Sequence, residues 1–248
     1  MTISYIDEAT LLSPTSARRS MLRHWQFECG CPRCASGDLV RSFCCLSADC
    51  AGIHCWTAQG LGPCDCCGHC PTDEDSLRAL KAEESLADAV RAAADAVDGM
   101  QLDNDALLEV IAGCETAIAS CSQVSPLHHL AAGIAKAGQA ARTELGDRLA
   151  REGNRAAAEP LWTQAAAQLH RAAAAEHAAL PVPLDGKDVD FLRLAALYQR
   201  LGMPEERHRC LWHALDIMNT THWASTLDFR ETCEAQRREV EAALAEVH

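Results

Sequence analysis

Aromatic side chains are scarce in this chain, which also lacks long apolar runs and an excess of basic residues. Phe, Trp and Tyr together make up only 4% of the 248 residues, and alanine dominates after residue 76. Small apolar side chains with few β-branched residues favour closely packed helices over sheet. Because 48% of the residues are apolar, the chain can bury a core, and we expect a mainly α-helical fold.

The excess of acidic residues limits the possible partners. A net charge of −13 argues against unaided binding to the phosphate backbone of nucleic acid. Five arginines do form a local basic cluster, but few aromatic residues are available to stack on bases. They are Arg18, Arg19, Arg23, Arg33 and Arg41. Direct nucleic-acid binding is therefore not expected, and the acidity predicts a solvated helix surface.

No apolar run approaches the length of a spanning helix, so no membrane association is expected. The N-terminal residues also lack the basic and then apolar pattern of a secretion signal. We therefore expect a reducing compartment, the cytosol or the nucleus, where thiols stay free to bind metal. A disulfide scaffold, the alternative, would need a secretion signal.

The cysteines are concentrated in one segment, since eleven of the fifteen lie between Cys29 and Cys70. Such density predicts bound Zn²⁺, which can fold a segment too small and polar to fold by burial alone. Cys29, Cys31 and Cys34 offer three thiolates from one tight turn, whereas a closed structural site needs four ligands. The fourth ligand could come from either of two sources, Cys44 or a cysteine from elsewhere.

A second set of four cysteines has the spacing of a zinc ribbon. Cys45-x4-Cys50 and Cys64-x-x-Cys67 form two knuckles, followed by Gly52 and Gly68, at which we expect positive φ. Several neighbours leave the ligand assignment open, because Cys67 and Cys70 could replace Cys64 and Cys67. The further spare residues are His54, Cys55, Cys66 and His69. With no open position or nearby acid evident, the zinc is expected to be structural rather than catalytic.

The chain divides into three parts: residues 1–28, residues 29–71 and residues 72–248. The first holds a short β-like run at residues 3–6 and a helix with Pro14 just inside it. The third is predicted to be helical. Its first helix opens with a capping box, Thr72-x-x-Asp75.

Two further helices are predicted from their apolar stripes. One carries Leu107, Ile111, Cys114, Ile118 and Cys121, and the two cysteines on this stripe are expected to be core residues.

The next helix is expected to open at Ser125-Pro126. His128 and His129 would stand in its first turn, and adjacent helical residues point apart, so we expect surface positions rather than a metal pair.

An internal repeat predicts helix pairs. Gly153 and Gly202, 49 residues apart, each follow a Leu-rich helical stripe and are expected to end a helix. The pattern resembles the tetratricopeptide repeat, whose period is about 34 residues, with the excess placed in an insertion at 181–186. Pro160 predicts a kink or a late helix start. A last helix is expected over residues 226–247.

Residues 3–34 and the helical part resemble the SET–MYND protein-lysine methyltransferases. Ile3-Ser4-Tyr5-Ile6-Asp7, a short helix and Phe27-Glu28-Cys29-x-Cys31-x-x-Cys34 are similar to the end of the SET domain and its post-SET zinc turn. The later knuckles resemble an extension of some members. The helices, especially residues 194–219, resemble the family's C-terminal tetratricopeptide-like domain.

This resemblance implies S-adenosylmethionine as methyl donor and a lysine of a histone or other protein as acceptor. Tyr5 and Trp25 match two aromatics of the lysine channel, although the family usually has tyrosine at the second position. Phe27 matches an aromatic on the adenine ring of the cofactor. In the family, a cysteine from the Asn-His-Cys region of SET completes the three-cysteine site. Without the family, Tyr5 reads as an ordinary strand residue, and Trp25 and Phe27 as core beneath the zinc turn.

The glycine-rich cofactor loop, the Asn-His segment and the MYND finger of the family are not in this sequence. We therefore expect a truncated or remnant form that transfers no methyl group by itself. The alternative is a non-enzymatic module in which a zinc ribbon anchors a helical-repeat groove for protein partners.

Overall fold

The computed structural model describes residues 11–98, 102–179, 187–221 and 227–245, and these are mainly helical. The helices in these ranges are α1 Thr15–Arg23, α2 Pro32–Ala35, α3 Asp73–Asp98, α4 Asn104–Ser120, α5 His129–Arg151, α6 Arg155–Ala179, α7 Lys187–Leu201, α8 Pro204–Thr221 and α9 Leu227–Ala245. The strands are β1 Asp38–Cys44, β2 Ile53–Thr57 and β3 Gly60–Cys64. Tyr5, the β-like run at residues 3–6 and the insertion at 181–186 lie outside the described residues.

The three strands form a small antiparallel sheet in the order β1-β2-β3, with an irregular register in both pairings. This sheet was not predicted, because the segment shows little hydrophobic alternation. Every second residue of β1 from Asp38 to Ser42 is buried, but the buried residues are not all apolar. Asp38, Val40 and Ser42 are all buried, and two of these three side chains are polar.

The sheet is joined to the helices through β1. Phe43 is 2% exposed and packs in one hydrophobic cluster with Leu86 of α3, Cys114 of α4 and Ile134 of α5. The Cys44 amide donates to the Gln123 carbonyl at 2.8 Å, which extends the connection through the backbone. The boundary at residue 71 stays a prediction, but apolar packing crosses it.

The helical part begins as predicted. The Thr72 amide donates to the Asp75 carboxylate at 2.8 Å, and the Asp75 amide donates to Thr72 Oγ1 at 3.2 Å. These two bonds confirm the capping box at the start of α3. Cys114 and Cys121 are buried, which confirms their prediction as core residues.

Both repeat glycines end a helix, as predicted. Gly153 and Gly202 have φ of +85° and +71°. The amide that follows each glycine reaches back to a carbonyl in the last helical turn: Asn154 to Leu149 at 2.8 Å and Met203 to Tyr198 at 2.9 Å. This pattern is a left-handed helix cap that glycine favours. The assignment of these helices to a tetratricopeptide-like repeat stays a prediction.

Pro160 does not delay the start of its helix. Helix α6 begins at Arg155, five residues earlier, with the Asn154 side chain accepting the Ala157 amide at 3.3 Å.

Buried Trp162, Leu169, Leu194 and Met218 form a second apolar cluster among α6, α7, α8 and α9.

The first turn of α5 differs from its prediction. The helix begins at His129 rather than Ser125, and His128 is the N-cap, whose Nδ1 accepts the Leu130 amide at 3.2 Å. The expected surface position of His128 is wrong, since its side chain is fully buried against Phe43. Because a cap residue lies outside the helix, the angular separation of helical neighbours does not apply, and the two histidine rings stack at 4.7 Å.

The apolar stripe of α4 also departs from its prediction at one position. Ile118 is 44% exposed, whereas its neighbour Ala117 is buried. Positions 117 and 118 are both close to one helical turn beyond Cys114, so spacing alone did not decide between them.

Within the described ranges, no helix is both long enough and apolar enough to cross a membrane.

Candidate metal centres

Four cysteine sulfurs from two loops come together at one end of the sheet. Cys45 follows β1, Cys50 lies in the β1–β2 loop, Cys64 ends β3 and Cys67 lies in the next turn, with all four Sγ atoms within 4.8 Å of one another. The Cys45–Cys67 and Cys50–Cys64 sulfur pairs are 3.6 and 3.7 Å apart. Sulfurs bound tetrahedrally at 2.3 Å from Zn²⁺ stand about 3.8 Å apart. This four-thiol cluster could therefore hold a zinc ion.

Three sulfurs of the four-thiol cluster each accept a hydrogen bond from the backbone amide two residues further along the chain. The donors are Ser47 to Cys45 at 3.4 Å, Gly52 to Cys50 at 3.3 Å and Cys66 to Cys64 at 3.4 Å. Hydrogen bonds to sulfur favour the thiolate, which is the form that binds metal. The His69 amide is the main cause that lowers the pKa of Cys67 to about 6.

The two glycines of the knuckles have different roles. Gly68 has a φ of +71°, as predicted, but Gly52 is not among the positive-φ residues. A Cβ on Gly52 would lie 2.5 Å from Cys66 Cβ and 2.6 Å from Cys64 Sγ. Glycine is therefore required at 52 by the close approach of the second knuckle.

The spare residues of this segment lie outside the four-thiol cluster. Cys66 and Cys70 are exposed, and Cys55 is half-buried. His54 is fully buried, with Nδ1 2.9 Å from the Gly62 carbonyl. Among the candidate ligand sets left open by the sequence, the structure brings together the sulfurs of Cys45, Cys50, Cys64 and Cys67.

The second centre is the three-thiol turn of Cys29, Cys31 and Cys34, whose sulfurs also lie within 4.8 Å of one another. Cys31 is the N-cap of α2, and the amides of Cys34 and Arg33 lower the pKa of its thiol. Burial raises the pKa of Cys34. These three residues could supply three ligands to one ion.

No fourth ligand joins the three-thiol turn among the residues that the structure describes. Cys44, one of the two sources left open, is not in the group, and its sulfur instead lies 3.8 Å from the Val124 carbonyl. The other source, a cysteine from elsewhere, stays a prediction.

Helix α1 ends in a turn that leads into the three thiols. Gln26 has a left-handed φ of +53°, and the Phe27 amide donates to the Leu22 carbonyl at 3.2 Å. Trp25 and Phe27 are 64% and 46% exposed. The interpretation of both as core beneath the zinc turn is therefore wrong. Phe27 lines a shallow pocket of about 200 Å³ with Arg19 and Arg23.

Three arginines of the basic cluster expected from the sequence are engaged within the fold. Arg18 is buried beside Asp38, Arg19 donates to the Cys34 carbonyl at 2.9 Å, and Arg41 Nε donates to Glu83 at 2.7 Å. These three arginines connect elements within the protein, so they do not form a free basic surface.

A buried polar network was missed from the sequence. Glu83 of α3 accepts a hydrogen bond from Arg41 of β1, and the Glu83 carboxylate also lies 3.4 Å from His128 Nε2. The Arg41 guanidinium lies 4.2 Å from the centre of the Trp56 ring. Although burial raises the pKa of Glu83, His128 and Arg41 outweigh it and lower that pKa to about 2. Burial lowers the pKa of the adjacent His129 to about 4.

This network could be taken for a Glu-His-His metal site, because its ligand atoms are close together. However, His128 Nδ1 accepts the Leu130 amide, so the neutral ring carries its proton on Nε2, the atom that faces Glu83. A protonated nitrogen cannot bind a metal, and Arg41 holds the Glu83 carboxylate. The cluster is therefore a buried polar junction between the sheet and the helices.

A comparison with models of known protein families found no match, and a search of the curated proteins found no recognisable relative.

Proposed function

We propose that this chain is the C-terminal part of a SET–MYND protein-lysine methyltransferase, with structural zinc in both thiol clusters. The observation that carries the proposal is the three-thiol turn, which gathers three ligands of the four that zinc needs. A site of this kind is suited to receive its last ligand from another segment. In the family that residues 3–34 resemble, that segment belongs to the SET domain.

The turn before the thiols supports the same proposal. A core role would have buried Trp25 and Phe27, but both are exposed beside Cys29. In this proposal Trp25 borders the lysine channel together with Tyr5, and Phe27 contacts the adenine of S-adenosylmethionine. The cofactor supplies the methyl group, and a lysine of a histone or another protein accepts it.

The helices would form one wall of the substrate cleft and bind protein partners, in the cytosol or the nucleus. The 248 residues carry neither the glycine-rich cofactor loop nor the Asn-His segment of the family. We expect no methyl transfer from this polypeptide by itself.

The proposal is tested by mapping the 5′ end of the transcript and expressing the longest protein that it encodes. We expect an in-frame glycine-rich motif and an Asn-His-x-Cys segment upstream of Met1, and transfer of labelled methyl groups to lysine peptides. The Tyr5→Phe variant should lose most of this transfer, while Tyr198→Phe serves as the matched control. A transcript without such a segment would overturn the proposal.

A second candidate is a non-enzymatic module for protein partners. An apolar cavity of about 180 Å³ between α3, α4, α5 and α6 favours it, with half-exposed Ile118 among its lining residues. In this candidate the Ile118→Asp variant of the zinc-loaded chain loses its protein partners. Leu108→Asp, at a 51% exposed position of the same helix, keeps them. Equal retention by both variants would exclude this cavity as the binding surface.

A further inference from the structure

The apolar cavity between α3, α4, α5 and α6 has the size of a site for a small molecule. Its volume is about 180 Å³, and its walls include the buried side chains of Leu86, Val124 and Ile134. An engineered apolar cavity of about 150 Å³ holds benzene. The cavity is therefore large enough for a single ring or a short alkyl chain.

One wall of the cavity, on α6, carries a hydrogen-bond donor without an acceptor. Gln168 lines the cavity and is 6% exposed, and its Oε1 accepts a hydrogen bond from Arg142 Nη1 at 2.9 Å. Because a guanidinium can only donate, this bond fixes the orientation of the Gln168 amide and turns Nε2 away from Arg142. No acceptor among the described residues bonds Nε2, so this buried donor is available to a ligand in the cavity.

A cation stands beside this donor. Arg171, three residues after Gln168 on α6, also lines the cavity and is exposed. The described part of the chain gives Arg171 neither an ion pair nor a hydrogen bond, and it places no carboxylate among the lining residues. In a protein with a net charge of −13, one side of an apolar cavity thus offers a donor and a positive charge, which favour an anionic group.

We propose that this cavity binds a small apolar carboxylate, with its hydrocarbon body against Leu86 and Ile134 and its carboxylate at Gln168 and Arg171. Apolar walls with a few placed polar groups are typical of small-molecule sites. A protein partner fits less well, because a stable interface buries about 800 Å² per partner. Ile118 is the one exposed large apolar side chain among the described lining residues. The inference goes beyond the proposed methyltransferase function and holds or fails independently of it.

The experiment uses the full chain and two probe acids, hexanoate and benzoate, with hexanamide and benzamide as their neutral counterparts. Isothermal titration calorimetry measures the affinities, and the NMR shifts of the backbone amides locate the site. Arg171→Gln removes the cation, and Gln168→Glu keeps the acceptor for Arg142 but replaces the free donor with a carboxylate. Ala131→Leu fills the cavity from a half-buried lining position. Arg91→Gln, at an exposed arginine outside the cavity, is the control.

We expect each acid to bind about 10-fold more tightly than its amide, with NMR shifts at residues 131–135 and 168–172. Arg171→Gln should weaken both acids about 5- to 10-fold, since an exposed guanidinium is partly screened by solvent, and should leave the amides within about two-fold. Gln168→Glu should weaken the acids further, because its carboxylate repels theirs. Ala131→Leu should abolish binding of acids and amides alike, and Arg91→Gln should match the native chain.

Equal affinities for acids and amides, equal losses in Arg171→Gln and Arg91→Gln, or NMR shifts confined to other residues would overturn the proposal. So would the absence of binding at millimolar concentrations of both acids. If Ile118→Asp then lost protein partners that Leu108→Asp kept, the cavity would be the protein surface of the second candidate instead. A transcript without the SET segment would overturn the methyltransferase proposal and leave the binding of these acids unchanged.

Discussion

The two thiol clusters both bring cysteine sulfurs close together, but they use different parts of the chain to do so. The four-thiol cluster draws its ligands from two loops of one small sheet, and backbone amides donate hydrogen bonds to three of its sulfurs. The three-thiol turn draws its ligands from six consecutive residues, in which Cys31 is the N-cap of α2 and the Cys34 carbonyl accepts a hydrogen bond from Arg19. The first set is complete in itself, whereas the second leaves one coordination position for a ligand from elsewhere.

This difference indicates how each cluster is connected to the rest of the molecule. The four-thiol cluster belongs to a sheet whose Phe43 packs into the helical core, so it is suited to stabilise that core. The three-thiol turn follows a short helix with exposed Trp25 and Phe27, so it is suited to form an interface. In our proposal the first zinc is a folding element and the second joins this chain to a SET domain.

The largest expected effect is the loss of the four-thiol cluster. Cys50→Ser removes one of four ligands, and structural zinc contributes about 10–16 kcal/mol of binding free energy in small zinc-dependent folds. We expect one ion fewer by native mass spectrometry and a loss of several kcal/mol in the free energy of unfolding. Cys66→Ser, at an exposed cysteine outside the cluster, should keep the ion. Equal zinc loss in the two variants would show that the ligand assignment is wrong.

The two clusters differ in how much space surrounds a glycine near their thiols. A Cβ on Gly52 would approach Cys64 Sγ to 2.6 Å, while one on Gly30, between Cys29 and Cys31, would meet nothing within 4 Å. Overpacking of this kind costs about 1–3 kcal/mol, so Gly52→Ala should weaken zinc at the four-thiol cluster about 10- to 100-fold. Gly30→Ala should leave both zinc affinities within about two-fold of the native values. Chelator competition measures both, and a larger effect at Gly30 would contradict the structure.

The junction between sheet and helices adds a pH dependence of its own. Burial holds the pKa of His129 near 4, below the value of 6.5 for the free side chain. Its neutral form is therefore favoured by folding, and this stabilisation is complete above pH 6.5 and declines as the pH falls toward 4. The groups that face His129 are His128, Glu83 and Arg41 of the same polar network. The decline from this group is about 2 kcal/mol at pH 5.

His129→Gln should remove this part of the acid sensitivity, whereas His24→Gln, at an exposed residue of the N-terminal part, should not. Because protons also displace zinc from thiolates, the quantity to compare is the difference in unfolding free energy between each variant and the native chain at pH 7.5 and pH 5. If the difference for His129→Gln is the same at pH 7.5 and at pH 5, the His129 ring lies in a more solvated environment than the structure gives it.

The features predicted from the sequence are those that depend on short spacing. Cys45-x4-Cys50 and Cys64-x-x-Cys67 fix which sulfurs a knuckle can bring together, and Gly153 and Gly202 mark helix ends because glycine tolerates positive φ. The features that were missed depend on partners far apart in sequence. Arg41 and Glu83 are 42 residues apart, and no local pattern indicates their contact.

Errors at single residues have equally physical causes. His128 was placed on the surface because it was assigned to a helix, whereas its Nδ1 caps that helix and its ring is buried. The β1 strand was not predicted because Asp38 and Ser42 are buried polar residues that break the apolar alternation. Burial of polar groups depends on tertiary hydrogen bonds, which a sequence pattern does not report.

The smallest expected effect is a loss of helix stability that leaves zinc binding unchanged. Thr72→Ala removes the capping box at the start of α3, five residues after Cys67, and should cost about 1 kcal/mol in unfolding free energy. Thr163→Ala is the control, because that exposed hydroxyl bonds a carbonyl within its own helix and contributes little. Both variants should keep the native zinc count by mass spectrometry. If Thr72→Ala also released zinc, the four-thiol cluster would depend on α3 for its fold, and the two clusters would be less different than their ligand sets indicate.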